Sequence, residues 1–254
     1  MESMCLIAFR WQPGAERPLV MAANRDEFHG RPTRSLGWWD WPAGPLAGRD
    51  EQAGGTWMAV GRRGRFAAVT NFRDPEAASG TRSRGELPLA WLEWNGATRE
   101  FAQKTYAEKA QWGPFNLVLG DAEELWVVGT HAEPLPVTPG VHALSNHLLD
   151  TPWPKSIRAV QRMEHWLEVG AGDVDGLLDL LDDRQPADDH ELPDTGVGRE
   201  LESMLSAPFI VSDRYGTRSS SALILAPTIT MAERTFDATG KSNGERVFSW
   251  KRHA

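Results

Sequence analysis

The chain has one cysteine, Cys5, at the head of a short apolar run that is answered further along by the charged tetrad Asn24-Arg25-Asp26-Glu27. A thiol, an amide, a guanidinium and two carboxylates are the parts of a nucleophilic site. The thiolate attacks, the cation favours the thiolate, and carboxylate and amide hold the partners in place. The chain between them decides whether they meet. Cys5-Leu6-Ile7-Ala8-Phe9-Arg10-Trp11 and Leu19-Val20-Met21-Ala22-Ala23 are short, apolar and β-prone, and Gln12-Pro13-Gly14-Ala15 is turn chemistry. A hairpin centred near Gly14 places Cys5 opposite Asn24 and within a residue or two of Arg25 and Asp26, since paired strands run ~5 Å apart. Alternation sets Asn24 and Asp26 on one face and Arg25 and Glu27 on the other, so this register turns Asp26 toward Asn24 and Glu27 away. The same residues have a plainer reading, in which Cys5 is a small buried hydrophobe and the tetrad opens a solvated turn. The residues alone leave both open.

The elements that would position these groups can be read from pattern and punctuation. Phe28 to Gly55, rich in Gly, Pro and Trp and including the stretch Trp38 to Trp41, reads as a long loop. Thr56 to Val60 and Phe66 to Asn71 form a second hairpin through Gly61-Arg62-Arg63-Gly64. Glu86 to Asn95 and Thr98 to Lys109 read as helices separated at Gly96. Phe115 to Leu119, Glu124 to Val128 and Val141 to Asn146 read as strands, and Lys155 to Val169 and Asp173 to Asp182 as helices. A polar linker, Gln185 to Gly198, precedes strands at Phe209 to Ser212, Ser220 to Ala226, Ile229 to Phe236 and Arg246 to Trp250. Hairpins, helices, strands, helices and strands in that order predict an α+β fold, with mainly antiparallel sheets packed between helix layers. With no internal repeat and no second composition regime, residues 1–254 read as a single domain.

Composition narrows the function. A net charge of -8 argues against a nucleic-acid partner, which needs clustered Lys and Arg. One cysteine can form neither an internal disulfide nor a Cys-rich zinc site, which fits a reducing cytoplasm. Met1-Glu2-Ser3-Met4 lacks the basic start of a signal peptide, and no apolar run approaches the ~18 residues of a membrane helix. The seven histidines, His29, His131, His142, His147, His165, His190 and His253, show no ligand spacing, so no metal site is expected. Phosphate-binding glycine loops and the common hydrolase motifs are missing. The partner expected is therefore a small molecule, and no cofactor is required. Twelve Trp against two Tyr suggests that some indoles line a cleft.

Longer stretches carry a resemblance. Met4-Cys5-Leu6-Ile7-Ala8-Phe9, Ala22-Ala23-Asn24-Arg25-Asp26-Glu27-Phe28 and Arg31-Pro32 resemble the transport and Golgi organisation 2 family, also called the NRDE family after the tetrad. The likeness continues through Gly54-Gly55-Thr56-Trp57, Val69-Thr70-Asn71-Phe72, Ser83-Arg84-Gly85-Glu86-Leu87, Phe115-Asn116-Leu117, Leu144-Ser145-Asn146, Thr151-Pro152-Trp153 and Tyr215-Gly216-Thr217-Arg218-Ser219-Ser220. It implies a four-layer αββα sandwich of the N-terminal-nucleophile hydrolase type, like that of the bile-salt and penicillin V amide hydrolases. In such enzymes the cysteine is the first residue, and its own amine, with a reference pKa of ~7.7–8.0, serves as base. Carried over by position, Cys5 matches the nucleophile, Asp26 the carboxylate that orients the amine, and Arg25 a neighbouring guanidinium, with Asn24 beside them. Asn71 and Asn146 match oxyanion donors, and Arg218 adds electrostatic support.

In this sequence Met1-Glu2-Ser3 precedes Met4-Cys5, so a chain translated from Met1 keeps the Cys5 amine in a peptide bond. The family has no settled enzymatic activity, and members are linked to haem trafficking and lipid homeostasis. The resemblance therefore implies two functions. One is a carrier of haem or another apolar ligand. The other is a cysteine amidohydrolase that cleaves a small C–N amide bond.

Overall fold

The computed structural model describes residues 4–39, 44–78, 80–170 and 172–252, so Trp41 and His253 lie outside the described residues. In chain order the first strands are β1 (Met4–Trp11), β2 (Leu19–Phe28), β3 (Thr33–Trp38), β4 (Leu46–Asp50), β5 (Met58–Val60) and β6 (Phe66–Asn71). Helices α1 (Glu86–Glu93) and α2 (Thr98–Ala107) follow, then strands β7 (Phe115–Gly120), β8 (Leu125–Gly129), β9 (Ala132–Pro136) and β10 (Gly140–Leu144). Helices α3 (Pro154–Glu168), α4 (Val174–Asp179) and α5 (Arg199–Leu205) lead to β11 (Tyr215–Leu225), β12 (Thr228–Phe236) and β13 (Ser242–Lys251).

Two antiparallel sheets result. The first runs β10-β1-β2-β11-β12-β13, and the second is a meander from β3 to β9 in chain order. Alternation along the strands divides the apolar residues into three layers. Ile7, Phe9, Trp11 and Met21 of the first sheet meet Leu36, Met58, Phe66 and Val118 of the second in the central core. The opposite face of the first sheet, with Leu6, Ala8, Val20 and Ala22, packs on Ala159, Met163 and Trp166 of α3 and on Leu177 and Leu178 of α4. The outer face of the second sheet, with Ala67, Val69, Leu117 and Leu119, packs on Leu87 and Trp91 of α1 and Phe101 and Ala102 of α2. This is the αββα sandwich the sequence predicts. Among the described residues no helix is long and apolar enough to cross a membrane.

Four expectations need correction. The loop from Phe28 to Gly55 contains β3 and β4, whose Gly and Arg residues hide the alternation while Leu36 and Leu46 still enter the core. β9, which matches no element expected from the sequence, carries two prolines and lies at a sheet edge, where proline is tolerated. Helix α5 was not foreseen, because of its residues only Glu202 and Leu205 are buried. Phe209 to Ser212 is not a strand; only Val211 bridges, to Gly216.

Met163 is fully buried on the inner face of α3, whose first residue is the preorganising Pro154, and Ile157 is exposed on the same helix. Met163→Ala should therefore cost about 2–5 kcal/mol in urea unfolding with an unchanged denaturant slope. Ile157→Ala should stay within about 0.5 kcal/mol. Similar losses at both positions would contradict this packing.

Candidate functional site

The hairpin that opens the chain forms, but with a longer loop than the Gly14 turn suggests. Gln12 N–H donates to the Pro18 carbonyl at 2.8 Å, and the register sets Cys5 against Arg25, not Asn24. A one-residue shift of this kind reverses which side chains share a face. Arg25 and Glu27 therefore lie on the thiol's side of the sheet, and Asn24 and Asp26 turn toward the helix layer. The tetrad is no solvated turn: all four residues are buried, and β11 pairs with them from Tyr215 to Ser220.

Cys5, Arg25 and Asn71 line a cleft of about 350 Å³, together with Glu27, Arg31, Asp50, Trp57, Arg82 and Arg84. The glycine motifs build its wall. A Cβ on Gly55 would come within 2.5 Å of the Gly85 backbone, so only glycine lets Ser83-Arg84-Gly85 abut the strand entry, where Thr56 N–H donates to the Gly85 carbonyl at 3.0 Å. A Cβ on Gly48 would fall 2.2 Å from the Trp57 ring, so Gly48 gives the indole its place. The Arg25 guanidinium lies 4.5 Å from the centroid of that ring.

The cleft carries four guanidiniums, from Arg25, Arg31, Arg82 and Arg84, against two carboxylates, Glu27 and Asp50. Arg31 clamps Asp50 through two donors at 2.9 and 2.7 Å. Burial works against that charge, but Arg31 and the amides of Ala53 and Gln52 hold Asp50 below the usual carboxylate range. Glu27 lies 3.5 Å from Arg25 and 3.6 Å from Arg31 and accepts the Phe28 N–H at 2.8 Å. Arg82 is paired with Glu86, and Arg84 donates to the Pro114 carbonyl at 3.0 Å. Arg25 remains partly unanswered, since its buried Nη1 has no hydrogen-bond partner. Cys5 departs from the activated thiol expected of it. Burial first, then the Asp26 charge, push its pKa from 9.0 to about 12, and Arg25 opposes them without prevailing.

The remaining predicted residues lie outside the cleft lining. Asn24 Nδ2 donates to the carbonyls of Leu181 at 3.1 Å and Pro208 at 2.9 Å, and its Oδ1 accepts from Ser220 at 2.7 Å. Those bonds tie β2 to the segments that follow α4 and α5. Asp26 accepts from Thr217 Oγ1 at 2.6 Å. Asn146 donates to the Asn71 carbonyl at 3.1 Å and accepts from Lys155 Nζ at 3.2 Å. Ser145 Oγ, 3.1 Å from Asn146 Oδ1, is also 3.1 Å from the Cys5 carbonyl, so this network touches the Cys5 backbone. Burial pushes Asp26 up, with Thr217 and Lys155 opposing; burial and Arg73 push Lys155 down, with Asp26 opposing. Arg218 Nη1 donates to the carbonyls of Phe28 at 2.9 Å and His29 at 3.0 Å, and so braces the turn after β2. His29 is held by the Ser212 carbonyl at 2.9 Å and does not line the cleft.

Sequence reasoning attached no chemistry to Arg31, Asp50, Trp57, Arg84 or Lys155. The signal was present for several of them, since Arg31-Pro32, Gly55-Thr56-Trp57 and Ser83-Arg84-Gly85 sit inside the family-like stretches. Lys155, two residues beyond Trp153, follows another.

The fold is that of the N-terminal-nucleophile hydrolases. The structure of the Caenorhabditis elegans N-acylethanolamine-hydrolyzing acid amidase ortholog matches with a TM-score of 0.53, over 87% of this chain and 92% of that one, at 13% identity. The Transport and Golgi organisation 2 family matches residues 4–238. The cattle Transport and Golgi organization protein 2 homolog is 33% identical over 91% of this chain and 93% of its own length. The human homolog is 32% identical over the same shares. The chain belongs to the Transport and Golgi organisation 2 family.

The buried thiol yields a direct expectation. In the folded chain, iodoacetamide should modify Cys5 far more slowly than a free thiol at pH 8, with the rate still climbing above pH 10; urea should restore ordinary reactivity. By linkage, the native state keeps a proton that the unfolded state releases near pH 9. The stability from this group is full below that pH and is lost as pH rises toward about 12. An alkylation profile that levels off near pH 8 in the folded chain would contradict the burial of Cys5.

Proposed function

We propose that the chain binds an anionic small molecule in the cleft beside Cys5 and acts as a carrier, with haem the first ligand to test. The observation that carries this reading is the excess of guanidinium over carboxylate in the lining, four against two. Haem brings two propionates, which suit arginines, and an apolar ring that Trp57, Phe28 and Val69 can cover. The lining is more charged than a site for an apolar ligand needs, and Trp57, not Trp38, supplies its indole. Trp38 instead packs edge-on to Trp250, 5.1 Å between centroids, beside the central core. A neutral thiol on the cleft wall suits a carrier, which must release its cargo. A reducing cytoplasm suits a lone unpaired cysteine.

A second reading is favoured by the Asp26, Asn146 and Lys155 network next to the Cys5 backbone and by the fold shared with a protein named as an amidase. In a chain trimmed to begin at Cys5, the free amine would accept the thiol proton. The sulfur would then add to an amide carbonyl, the proton would pass from the Cys5 amine to the substrate nitrogen, that substrate amine would leave, and water would split the thioester to a carboxylic acid and the thiol. Asn71, which reaches the cleft, would face the developing oxyanion.

Haem titrated into the apo-protein should give a saturable change in the Soret band, weakened about tenfold by Arg84→Ala through loss of one charge-assisted contact. No saturable change would remove haem as the cargo. Binding unaltered by Arg31→Ala and Arg84→Ala together would place it outside this cleft. For the second reading, protein trimmed to Cys5 should release amine from N-acyl amides, and Cys5→Ala should abolish the release. An inactive trimmed protein leaves the carrier reading alone.

A further inference from the structure

Arg25 walls a second cavity besides the cleft. This space, about 210 Å³, lies among β2, β3, β11, β12 and β13, and Arg218, Ser35, Ser219, Glu233 and Thr235 share its lining. We propose that it is a binding site for a small oxyanion, a carboxylate or phosphate group, separate from the cleft beside Cys5. The proposal does not depend on what the cleft carries.

The first argument is an unanswered donor. Arg25 is 5% exposed, and its Nη1 has no hydrogen-bond partner. Its nearest carboxylate, Glu27, stands 3.5 Å from the other terminal nitrogen, Nη2. Buried guanidinium donors normally find an acceptor, so an orphan at a cavity wall points to one supplied from outside. The second argument is charge. Arg25 and Arg218 share this wall, and after burial the Arg25 charge is what lowers the proton affinity of Arg218. Two cations that face a common space favour an anion between them.

The third argument is that two guanidiniums face a single carboxyl group in the lining. Glu233 is its only carboxyl group, and Glu233 Oε1 already accepts the Leu36 N–H at 2.7 Å. Burial also pushes Glu233 toward its neutral form, against the Leu36 N–H, the Arg25 charge, the Ser219 hydroxyl and the Arg246 charge. The hydroxyls of Ser35, Ser219 and Thr235 complete a polar lining, in which Ser219 is hydrogen-bonded to Glu233 and Thr235 donates to Asn243 Oδ1 at 2.7 Å. The volume is below the ~300–1,000 Å³ of sites for drug-sized ligands, and it suits a phosphate or a short carboxylic acid.

Inorganic phosphate and acetate, titrated calorimetrically into the full chain at low ionic strength with chloride as control, test the site. At least one of the two should bind saturably. Ser35→Leu, which fills the second cavity and lines no part of the cleft, should weaken that binding about tenfold or more. Thr235→Leu, placed on another strand, is an independent blocking variant should Ser35→Leu not fold. Glu233→Gln keeps the acceptor for Leu36 but removes the negative charge, and should tighten binding severalfold. Arg84→Ala, in the cleft alone, should leave it unchanged. The proposal is overturned if neither anion saturates, if Glu233→Gln weakens binding, or if the blocking variants bind as the parent does. Loss on Arg84→Ala with both blocking variants unaffected would move the anion to the cleft, which also overturns it.

Discussion

The pairing of β1 with β2 in the register that sets Cys5 against Arg25 is the constraint on which the rest of the site depends. Side chains on paired strands share a face only in register, so this one choice sends Arg25 and Glu27 into the space between the sheets and Asn24 and Asp26 into the helix layer. Each consequence is then held by partners from elsewhere. Arg25 meets Trp57 and Glu27 in the cleft. Asn24 is saturated by carbonyls of Leu181 and Pro208, and Asp26 is met by Thr217. A slip of one residue would bury the guanidinium among α3 and α4 with none of these partners, and buried charge without partners is costly.

The same register divides the polar residues into two groups with different physics. On the cleft side the charges are cationic in excess, and the buried Arg25 Nη1 has no hydrogen-bond partner. On the helix side, Lys155, Asn146 and Ser145 form a chain of hydrogen bonds that reaches the Cys5 carbonyl, and Asp26, held by Thr217, influences Lys155 through charge. Burial drives the Asp26 carboxyl and the Lys155 amine toward their neutral forms, and each opposes the shift of the other. Cys5 lies at the junction of the two groups, and desolvation governs it more than either. A thiol beside an arginine is activated only where water or the cation can reach the sulfur; here enclosure and the Asp26 charge outweigh Arg25.

The second sheet supplies the cleft's far wall through glycine. Gly48 and Gly55 allow the Trp57 ring and the backbone at Gly85 to approach closer than any Cβ would permit. The wall is consequently made by segments distant in sequence, and their fit is what places Arg82 and Arg84 across from Arg25 and Arg31. The net charge of the whole chain is negative, yet the cleft is locally basic, since local excess depends on which side chains converge and not on the total.

Much of this was legible in the residues. The short, β-prone apolar runs of β1, β2, β6, β7 and β8 and the helical spacing in α4 mark their own elements, so two sheets between helix layers followed, and Cys5, Arg25 and Asn71 were placed near one another by hairpin logic and family likeness. Period-two alternation also separated Asn24 and Asp26 from Arg25 and Glu27, because it is a property of the strand alone. Which pair faces the thiol was not local: it turned on the length of the loop from Gln12 to Pro18 and on pairing with β11. β3 and β4 were hidden, because only their neighbours in the second sheet give Leu36 and Leu46 a core to enter. Arg31, Asp50, Arg84 and Lys155 joined the site through contacts far apart along the chain, and burial, which no single stretch of sequence carries, set the state of Cys5. Local pattern determined the elements and their faces; tertiary packing decided which faces meet and how much water remains between them.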